Sequence, residues 1–304
     1  MSSEVAKRRL VSVVCNERSG GGRAGRVLPK VAKRLREGLA GAELHIVTST
    51  SYEQARDLTR SLALQARPGD VVVVMGGDGM AHLGLNACAD TDATLAVIPA
   101  GTGNDFARGA GIPRSIHESV EAIVTGTTRV MDLSRLTNGA DPRYVGAVVS
   151  SGYDARVNRA TNDIRLRFGA LSYGWIALRE LAAFSPLSYR LTIDGEVREL
   201  NAMMVAICNT GVFGGGMQIS PDADPADGLL DITIIHEASR GKLLRLLPTV
   251  YTGGFVTNPV VERLRAHTVE VDGEGLFLMG DGEEMGDVPA TVECVPKCLK
   301  VIVG

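Results

Sequence analysis

Residues 71–80 read VVVVMGGDGM, an apolar run that ends in three glycines around one aspartate. The backbone N–H groups of Gly76, Gly77 and Gly79 have no side chain in front of them, so a phosphate can approach them closely. If a helix follows, its N-terminus adds further donors and a favourable dipole. The stretch is therefore a candidate phosphate site, and a ligand-free turn between a strand and a helix has the same pattern.

Two further glycine-rich segments follow apolar runs in the same way. They are NERSGGGRAGR (16–26) and PAGTGNDFARGAG (99–111). The carboxyl ends of neighbouring parallel strands meet at one edge of a sheet, where open α/β proteins bind their ligands. Three polar glycine loops at that edge predict a nucleotide phosphate site. The chain has no GxxxxGK[ST] motif and no GxGxxG fingerprint in a suitable context.

Two segments in the second half of the chain are rich in acidic residues and glycine. They are ADPADGLLD (223–231) and GDGEE (280–284). Carboxylates can accept a proton or bind a hard cation such as Mg²⁺. Taken alone, the first segment is equally compatible with an Asp-Gly turn that begins a strand, and the second with an exposed acidic turn. Asp78 is likewise compatible with a helix N-cap only.

Alternating strand and helix signals must position the three glycine loops. The pattern predicts strands at 10–16, 42–49, 71–75 and 94–100, and helices at 27–39, 52–66, 80–88 and 115–125. Strands that are apolar on both faces and separated by helices indicate a parallel sheet covered on both sides. After about Met131, short β runs with glycine turns predict a second, β-sandwich-like domain, interrupted by one helical segment at 163–184.

Composition excludes several classes of protein. A formal charge of −3 and an aromatic content of 4% argue against nucleic-acid binding. The N-terminus lacks a signal-peptide pattern, and no apolar stretch approaches the roughly 20 residues of a membrane span. Five scattered cysteines indicate reduced thiols. We therefore expect a cytoplasmic protein that would reach lipid only from the membrane surface.

The GGDG turn together with PAGTGNDFAR resembles the catalytic domain of the diacylglycerol kinase family. GGDG is shared with sphingosine and NAD kinases, whereas the second motif is specific to the lipid kinases. CNTGVFGGGMQISPDADPADGLLDIT (208–233) and GDGEE extend the resemblance over nearly the whole chain. It is closest to soluble bacterial enzymes of actinobacterial type. The resemblance implies an α/β nucleotide-binding domain (1–131), to which about residues 296–304 return, and a β-sandwich lipid-substrate domain (132–295).

The same resemblance implies a role for each candidate residue. Glu283 is the base that accepts the proton of the lipid hydroxyl, and Asp281 positions Glu283 or the metal. Asp78 acts near the phosphates through Mg²⁺ or a neighbouring amide. Magnesium is held by the Asp227 carboxylate and the backbone carbonyls of Asp224 and Leu229. The ATP site is lined by Asn16, Gly20, Thr48, Gly76, Gly77, Asp78, Gly79, Thr102, Asn104 and Asp105.

The implied reaction is ATP-dependent phosphorylation of diacylglycerol to phosphatidic acid, with transient binding to the inner face of the membrane. Nothing in the sequence distinguishes this acceptor from a sphingoid base, phosphatidylglycerol or a glycolipid. A non-catalytic nucleotide or lipid sensor is the other alternative, because Glu17 and Met80 stand where the family usually has proline and threonine. Backbone donors are unaffected by either change, so we expect altered affinity rather than lost binding.

The arginines near the helical segment bear on membrane binding. They could dock on anionic lipid or form a solvated face over a packed helix. The residues concerned are Arg156, Arg159, Arg165 and Arg167. The sequence also leaves a homodimer open.

Overall fold

The computed structural model describes residues 8–152, Ala155 and residues 185–304. The chain divides into two compact units: residues 1–131 with 297–304 form the first unit, and residues 132–296 form the second unit. The predicted helical segment at 163–184 and the arginines at 156, 159, 165 and 167 lie outside the described residues.

The first unit contains a parallel sheet with helices between its strands. Its elements are β1 (Leu10–Asn16), α1 (Ser19–Gly38), β2 (Glu43–Ser49), α2 (Tyr52–Gln65), β3 (Val71–Gly76), α3 (Asp78–Cys88), β4 (Thr94–Pro99), α4 (Asp105–Ala110) and α5 (Ile116–Thr125). The strand order is β4–β3–β1–β2, all parallel. The last strand of the chain, β17 (Ala290–Val303), adds to the outer edge of β4 through Lys300 and Val301.

Alternation along β3 explains its continuous apolar sequence. Val71, Val73 and Met75 pack in the core that includes residues of α1 and α5. Val74 points to the other face, where a side chain at Gly84 of α3 would collide with it. A strand that is covered on both faces must be apolar at every position, and every residue of β3 and β4 is buried. The edge strand β2 instead mixes exposed and half-buried residues.

The second unit is rich in antiparallel strands. Its elements are the last part of β5 (Thr127–Thr137), then β6 (Arg143–Val145), β7 (Val148–Gly152), β8 (Leu187–Ile193), β9 (Glu196–Cys208), β10 (Val212–Phe213), β11 (Met217–Gln218), β12 (Leu230–His236), α6 (Arg240–Val250), a 3₁₀ turn (Gly254–Thr257), β13 (Val261–Ala266), β14 (Thr268–Asp272), β15 (Phe277–Gly280), β16 (Glu283–Asp287) and the first part of β17. The main strand order is β16–β15–β7–β9–β8–β14–β17.

Strand β9 organises this sheet because it has different partners along its length. Its first half, to Ala202, pairs with β8, and its second half pairs with β7 on one side and β12 on the other. The buried side chains that fill the core of the unit come from most of these strands and include Leu191, Val205, Ile232, Val269 and Leu278. The predicted fold class, a parallel-sheet α/β part followed by a strand-rich part, is confirmed.

Several boundaries differ from the sequence prediction. The segment α1 spans Ser19–Gly38, but Gly20, Gly21 and Gly22 have left-handed backbone angles, so the regular helix begins only after Gly22, still earlier than the predicted residue 27. The C-terminal strand is 14 residues long, more than the short β runs that the sequence predicts for this part of the chain. The elements β5, β13 and α6 were not predicted; α6 contains Gly241 and Pro248, which weaken a helical pattern.

The cysteines behave as core residues. All five are free, and four of them are buried. Burial raises the pKa of Cys15 to about 11 and that of Cys88 to about 12. Their thiolate forms are therefore scarce at neutral pH, as expected for packing residues rather than nucleophiles.

Candidate active site

The three glycine loops of the first unit leave the same edge of the sheet. Strands β1, β3 and β4 are parallel neighbours, with Cys15 opposite Met75 and Gly76 opposite Pro99. The loops that follow these strands therefore start side by side, which is where open α/β sheets bind their ligands.

Several glycines in these loops are required by contact between backbones. A Cβ atom on Gly101 would lie 2.6 Å from the Cα of Gly77, and one on Gly20 would lie 2.4 Å from the carbonyl oxygen of Ala100. The Ala100 N–H also donates to the Gly76 carbonyl at 2.7 Å. The three loops thus touch through bare main chain, so a side chain at Gly20 or Gly101 would force them apart.

Asp78 connects the loop after β3 to the loop after β4. It is the first residue of α3, and its carboxylate accepts hydrogen bonds from the Asn104 N–H at 2.8 Å and the Asp105 N–H at 2.7 Å. Asn104 has left-handed backbone angles and precedes α4. Gly103 lies so close that a Cβ there would be 2.7 Å from the Asp78 Oδ2. Asp78 therefore caps α4 and fixes the second loop, a role that links two loops rather than capping its own helix.

Met80 fits behind the first of these loops. It is buried, and a Cβ on Gly76 would lie 2.4 Å from the Met80 Cγ. The methionine thus fills the space that Gly76 leaves open, and the backbone donors of the loop remain. This packing accounts for a large apolar residue at the second position after Asp78.

The remaining ATP-site candidates differ in exposure. Gly20, Thr48 and Thr102 are exposed, and Asn16 is partly buried. The Asn16 Oδ1 accepts a hydrogen bond from the Arg18 N–H at 3.0 Å, which fixes the start of the first loop. Thr48 lies on β2 opposite Cys15 of β1. The exposed groups are accessible to a ligand, whereas Asn16 and Asp78 hold the loops in place.

The acidic turn of the second unit is the two-residue turn of a β-hairpin formed by β15 and β16. Asp281 and Gly282 both have positive φ, and Glu283 pairs with Gly280 across the turn. The Asp281 carboxylate accepts hydrogen bonds from the Gly146 and Ala147 N–H groups, both at 2.8 Å. Glu283 is exposed. Asp281 therefore fixes the hairpin, and Glu283 offers its carboxylate to solvent from a defined strand position.

Comparison with known proteins identifies the family. Residues 10–136 match the model of the diacylglycerol kinase catalytic domain, and residues 147–303 match the YegS C-terminal NAD kinase beta sandwich-like domain. The chain is 36% identical to a diacylglycerol kinase of Mycobacterium tuberculosis (strain H37Rv) over 296 residues, 96% of this chain and 94% of that one. The chain belongs to the diacylglycerol kinase family. It is a lipid kinase, and its second unit has the beta sandwich-like fold.

Other relatives agree with this assignment. A diacylglycerol kinase of Bacillus subtilis (strain 168) is 28% identical over 258 residues, 82% of each chain. The crystal structure of a diacylglycerol kinase from Bacillus anthracis str. Sterne superimposes with a TM-score of 0.74, covering 98% of each chain at 20% identity. At that identity the superposition shows a shared fold.

The predicted magnesium ligands of the kinase were Asp227, Asp224 and Leu229. One carboxylate oxygen of Asp227 accepts the Leu229 N–H at 3.0 Å, and the other forms an ion pair with Arg265. Among the residues that the structure describes, no group of three or more His, Cys, Asp or Glu side chains is arranged to hold a metal ion. Such a group consists of side chains only, whereas the predicted set contains one carboxylate and two backbone carbonyls, which Mg²⁺ also binds. The magnesium site at Asp227, Asp224 and Leu229 therefore stays a prediction, with Arg265 as a neighbour that shares the Asp227 carboxylate.

Arg265 stabilises this loop of the kinase through its interactions with two carboxylates. Besides Asp227 it lies 3.7 Å from Asp231, which is nearly buried. Burial raises the pKa of Asp231, and the neighbouring Arg265 and Arg263 oppose that shift. Arg263 in turn pairs with Asp222 at 2.9 Å. The segment 222–231 is therefore tied to β13 by two arginines.

We expect Arg265→Ala to lower the free energy of unfolding by about 1–3 kcal/mol at neutral pH, because Asp231 loses a partner while it stays largely buried. A raised pKa means that the contribution of Asp231 to stability is complete below its ordinary pKa near 4 and is lost as the pH rises. The difference in the free energy of unfolding between the parent and the variant should therefore become smaller as the pH falls. Thermal unfolding of both proteins at several pH values measures this difference. A difference that does not depend on pH would contradict the explanation.

A second prediction concerns the glycines of the first loop. Gly20 and Gly21 both have left-handed φ, so alanine costs about 1 kcal/mol of strain at either position. Only at Gly20 does a Cβ meet a neighbouring loop; at Gly21 it meets nothing within 4 Å. We expect Gly20→Ala to weaken ATP binding roughly tenfold or more, and Gly21→Ala to change it little. Calorimetric titration with ATP compares the two, and equal losses would refute the loop-contact argument.

Three residues that support the site were not predicted. The Asn209 side chain donates to the carbonyls of Asp132 at 2.9 Å and Gly146 at 3.0 Å, and thereby holds the segment that binds Asp281. The Arg108 Nε donates to the Gly103 carbonyl at 3.0 Å. Arg265 is the third. Asn209 and Arg108 lie inside motifs quoted from the sequence, whereas nothing local marks Arg265.

Proposed function

We propose that this lipid kinase transfers the γ-phosphate of ATP to the free hydroxyl of diacylglycerol and so makes phosphatidic acid. The observation that supports this most is the match of both halves of the chain to the diacylglycerol kinase family. The glycine loops contain candidate groups for binding ATP, and the hairpin at residues 280–284 contains a candidate base for the transfer step.

The glycine loops are the proposed ATP site. Bare N–H groups and the starts of α1 and α3 stabilise phosphate oxygens, because each provides donors that no side chain covers. A carboxylate near a triphosphate would normally repel it. The Asp78 carboxylate instead accepts two backbone hydrogen bonds, so its negative charge is stabilised by protein amides. We assign Asp78 to positioning the loop, with Asn104 and Asp105 as its partners.

Glu283 is the proposed general base. It accepts the proton of the diacylglycerol hydroxyl as the oxygen forms its bond to the γ-phosphorus, while the bond from that phosphorus to the bridging oxygen of ADP breaks. Proton transfer accompanies bond formation, because a carboxylate is too weak a base to ionise a free alcohol beforehand. Asp281 holds the hairpin that carries Glu283. We therefore propose Asp281 as a positioning residue.

A bound divalent cation would supply charge neutralisation for the phosphates in this reaction. The residues that we can assign act beside it. The loops bind and orient ATP, and the hairpin holds the base. We keep the Asp227 carboxylate and the backbone carbonyls of Asp224 and Leu229 as the proposed magnesium ligands, apart from the groups that carry out the transfer step.

The decisive experiment is an acceptor panel with γ-labelled ATP. Purified protein is given diacylglycerol, a sphingoid base, phosphatidylglycerol or a glycolipid in detergent micelles, and label in each lipid is counted. Labelled phosphatidic acid as the main product supports the proposal. If another lipid carries most of the label, that lipid is the acceptor instead of diacylglycerol. If the protein binds ATP but labels no lipid, the result favours a non-catalytic sensor.

We also propose where the reaction takes place. In the part of the chain that the structure describes, no helix has both the length and the apolar character needed to cross a bilayer. Diacylglycerol stays in the bilayer and ATP is in the cytoplasm, so the kinase would act at the inner face of the membrane as a peripheral protein.

A further inference from the structure

Helix α6 has one face in the core of the second unit and one face in solvent. Leu243 and Leu247 pack with Met203. Val250 and Leu246 pack in the neighbouring apolar cluster. Leu243 lies three and four residues before Leu246 and Leu247. Val250 lies four and three residues after them, as expected for the buried face of an amphipathic helix.

The solvent face of α6 also carries apolar residues. Leu244, Pro248 and the C-cap residue Tyr251 are exposed and lie four and three residues apart, so they form one line along the helix. Leu244 is 44% exposed and Tyr251 is 52% exposed, which places both among the exposed large hydrophobic side chains of the described residues. Among the described residues of the unit, this line stays exposed after folding.

The same helix carries a local positive charge. Its residues 240–250 include Arg240, Lys242 and Arg245 and no aspartate or glutamate, and Glu237 just before it is the nearest acid in the sequence. The whole chain has a formal charge of −3. Arg240 lies one turn before Leu244, and Arg245 is next to it in the chain. The apolar line is therefore accompanied by cations in an otherwise acidic protein.

We propose that α6 is the surface by which the kinase docks on an anionic lipid bilayer. A helix with exposed apolar side chains and flanking arginines lies in the membrane interface, where Leu enters the acyl boundary, Tyr lies at headgroup level and arginines bind anionic headgroups. The inference deepens the proposed function, on which it rests, by naming the surface that meets the membrane.

Two other helices show why α6 is preferred. Helix α2 exposes Tyr52 and Leu64, but these are 12 residues apart, and Glu53 and Asp57 balance its two arginines. Helix α1 is more basic, but none of the exposed large hydrophobic side chains of the described residues belongs to it. Only in α6 do an exposed apolar line and an excess of cations occur together among the described helices.

The test uses vesicle sedimentation with matched variants. Vesicles of phosphatidylcholine alone, or with added phosphatidylserine, are mixed with the parent protein and with Leu244→Ser, Arg245→Gln, Tyr251→Ser combined. The control combines Leu64→Ser, Arg60→Gln, Tyr52→Ser on α2, which removes the same residue types. We expect the α6 variant to bind anionic vesicles roughly tenfold more weakly or worse, and the control to bind as the parent does.

The proposal would be overturned by unchanged vesicle binding of the α6 variant, or by a parent protein that does not bind anionic vesicles. Equal losses in the two variants would also overturn it. A second variant, Arg240→Gln with Arg245→Gln, should lose the preference for anionic over neutral vesicles, and an unchanged preference counts against the charge part of the argument.

Activity separates docking from catalysis. On a short-chain diacylglycerol that stays monomeric in water, the α6 variant should keep the turnover of the parent, whereas on vesicle substrate its rate should fall with its binding. An equal loss on both substrates contradicts a docking role. If the parent binds vesicles through α6 but phosphorylates no diacylglycerol, the proposed acceptor is wrong while the docking surface stands.

Discussion

Glu283→Gln should lower the turnover number by about 10²–10⁴-fold while ATP binds as tightly as in the parent. Glutamine keeps the size and polarity of the side chain but cannot take a proton from the lipid hydroxyl. The hairpin should stay intact, because Asp281 holds it through the Gly146 and Ala147 amides without using residue 283. Steady-state kinetics with micellar diacylglycerol and calorimetric titration with ATP measure the two quantities.

The neighbouring residue supplies the control. Glu284 is also exposed and follows directly in β16, and successive side chains of a strand point to opposite faces. We expect Glu284→Gln to keep the turnover of the parent within a few-fold. Equal losses in both variants would show a general charge effect, and full activity of Glu283→Gln would remove Glu283 from the role of base.

Asp78→Asn should weaken both ATP binding and turnover by tenfold or more. The carboxylate binds two backbone N–H groups, whereas asparagine has one acceptor and would point its own N–H₂ at the other amide. Hydrogen bonds to a charged group contribute about 1.5–3 kcal/mol each, so the second loop and the start of α4 should lose their fixed position. The free energy of unfolding should fall by about 1–3 kcal/mol as well.

A matched control is Asp57→Asn, which removes an exposed carboxylate from α2. It should change neither ATP affinity nor stability beyond a few tenths of a kcal/mol. Backbone amide exchange gives a more specific readout, because the amides of Asn104 and Asp105 should exchange faster in Asp78→Asn. If these amides stay protected while ATP binding is lost, Asp78 contacts the nucleotide or its cation directly.

The parallel sheet of the first unit was predictable because burial on both faces leaves a clear apolar pattern in the sequence of its central strands. The strands β1, β3 and β4 are buried on both faces and are mostly apolar, and the helices α1 and α2 have amphipathic patterns. The start of α1 was missed since Gly20, Gly21 and Gly22 have no helical propensity and adopt left-handed angles there. What fixes that turn is contact with Ala100, about 80 residues away in sequence, and no local pattern contains it.

The site was predictable in part, for similar reasons. Motifs located Asp78, Asn104 and Asp281, but not the hydrogen bonds that define what they do. Asp78 binds amides 26 and 27 residues away, and Asp281 binds amides more than 130 residues away. Asp227 has a partner, Arg265, that lies on β13 and carries no motif. Long-range partners of this kind follow from the fold.

The position of β17 has a consequence for biosynthesis. Residues 297–304 belong to the first unit, and Val301 of β17 lies against Leu95 of β4. A ribosome therefore releases these residues only after the whole second unit has been made, and until then the outer edge of β4 in the nascent chain has no partner. Domains often fold in the order of their synthesis. Here the unit that is begun first is completed last, so premature termination near residue 296 would leave a sheet edge open to chaperones or aggregation.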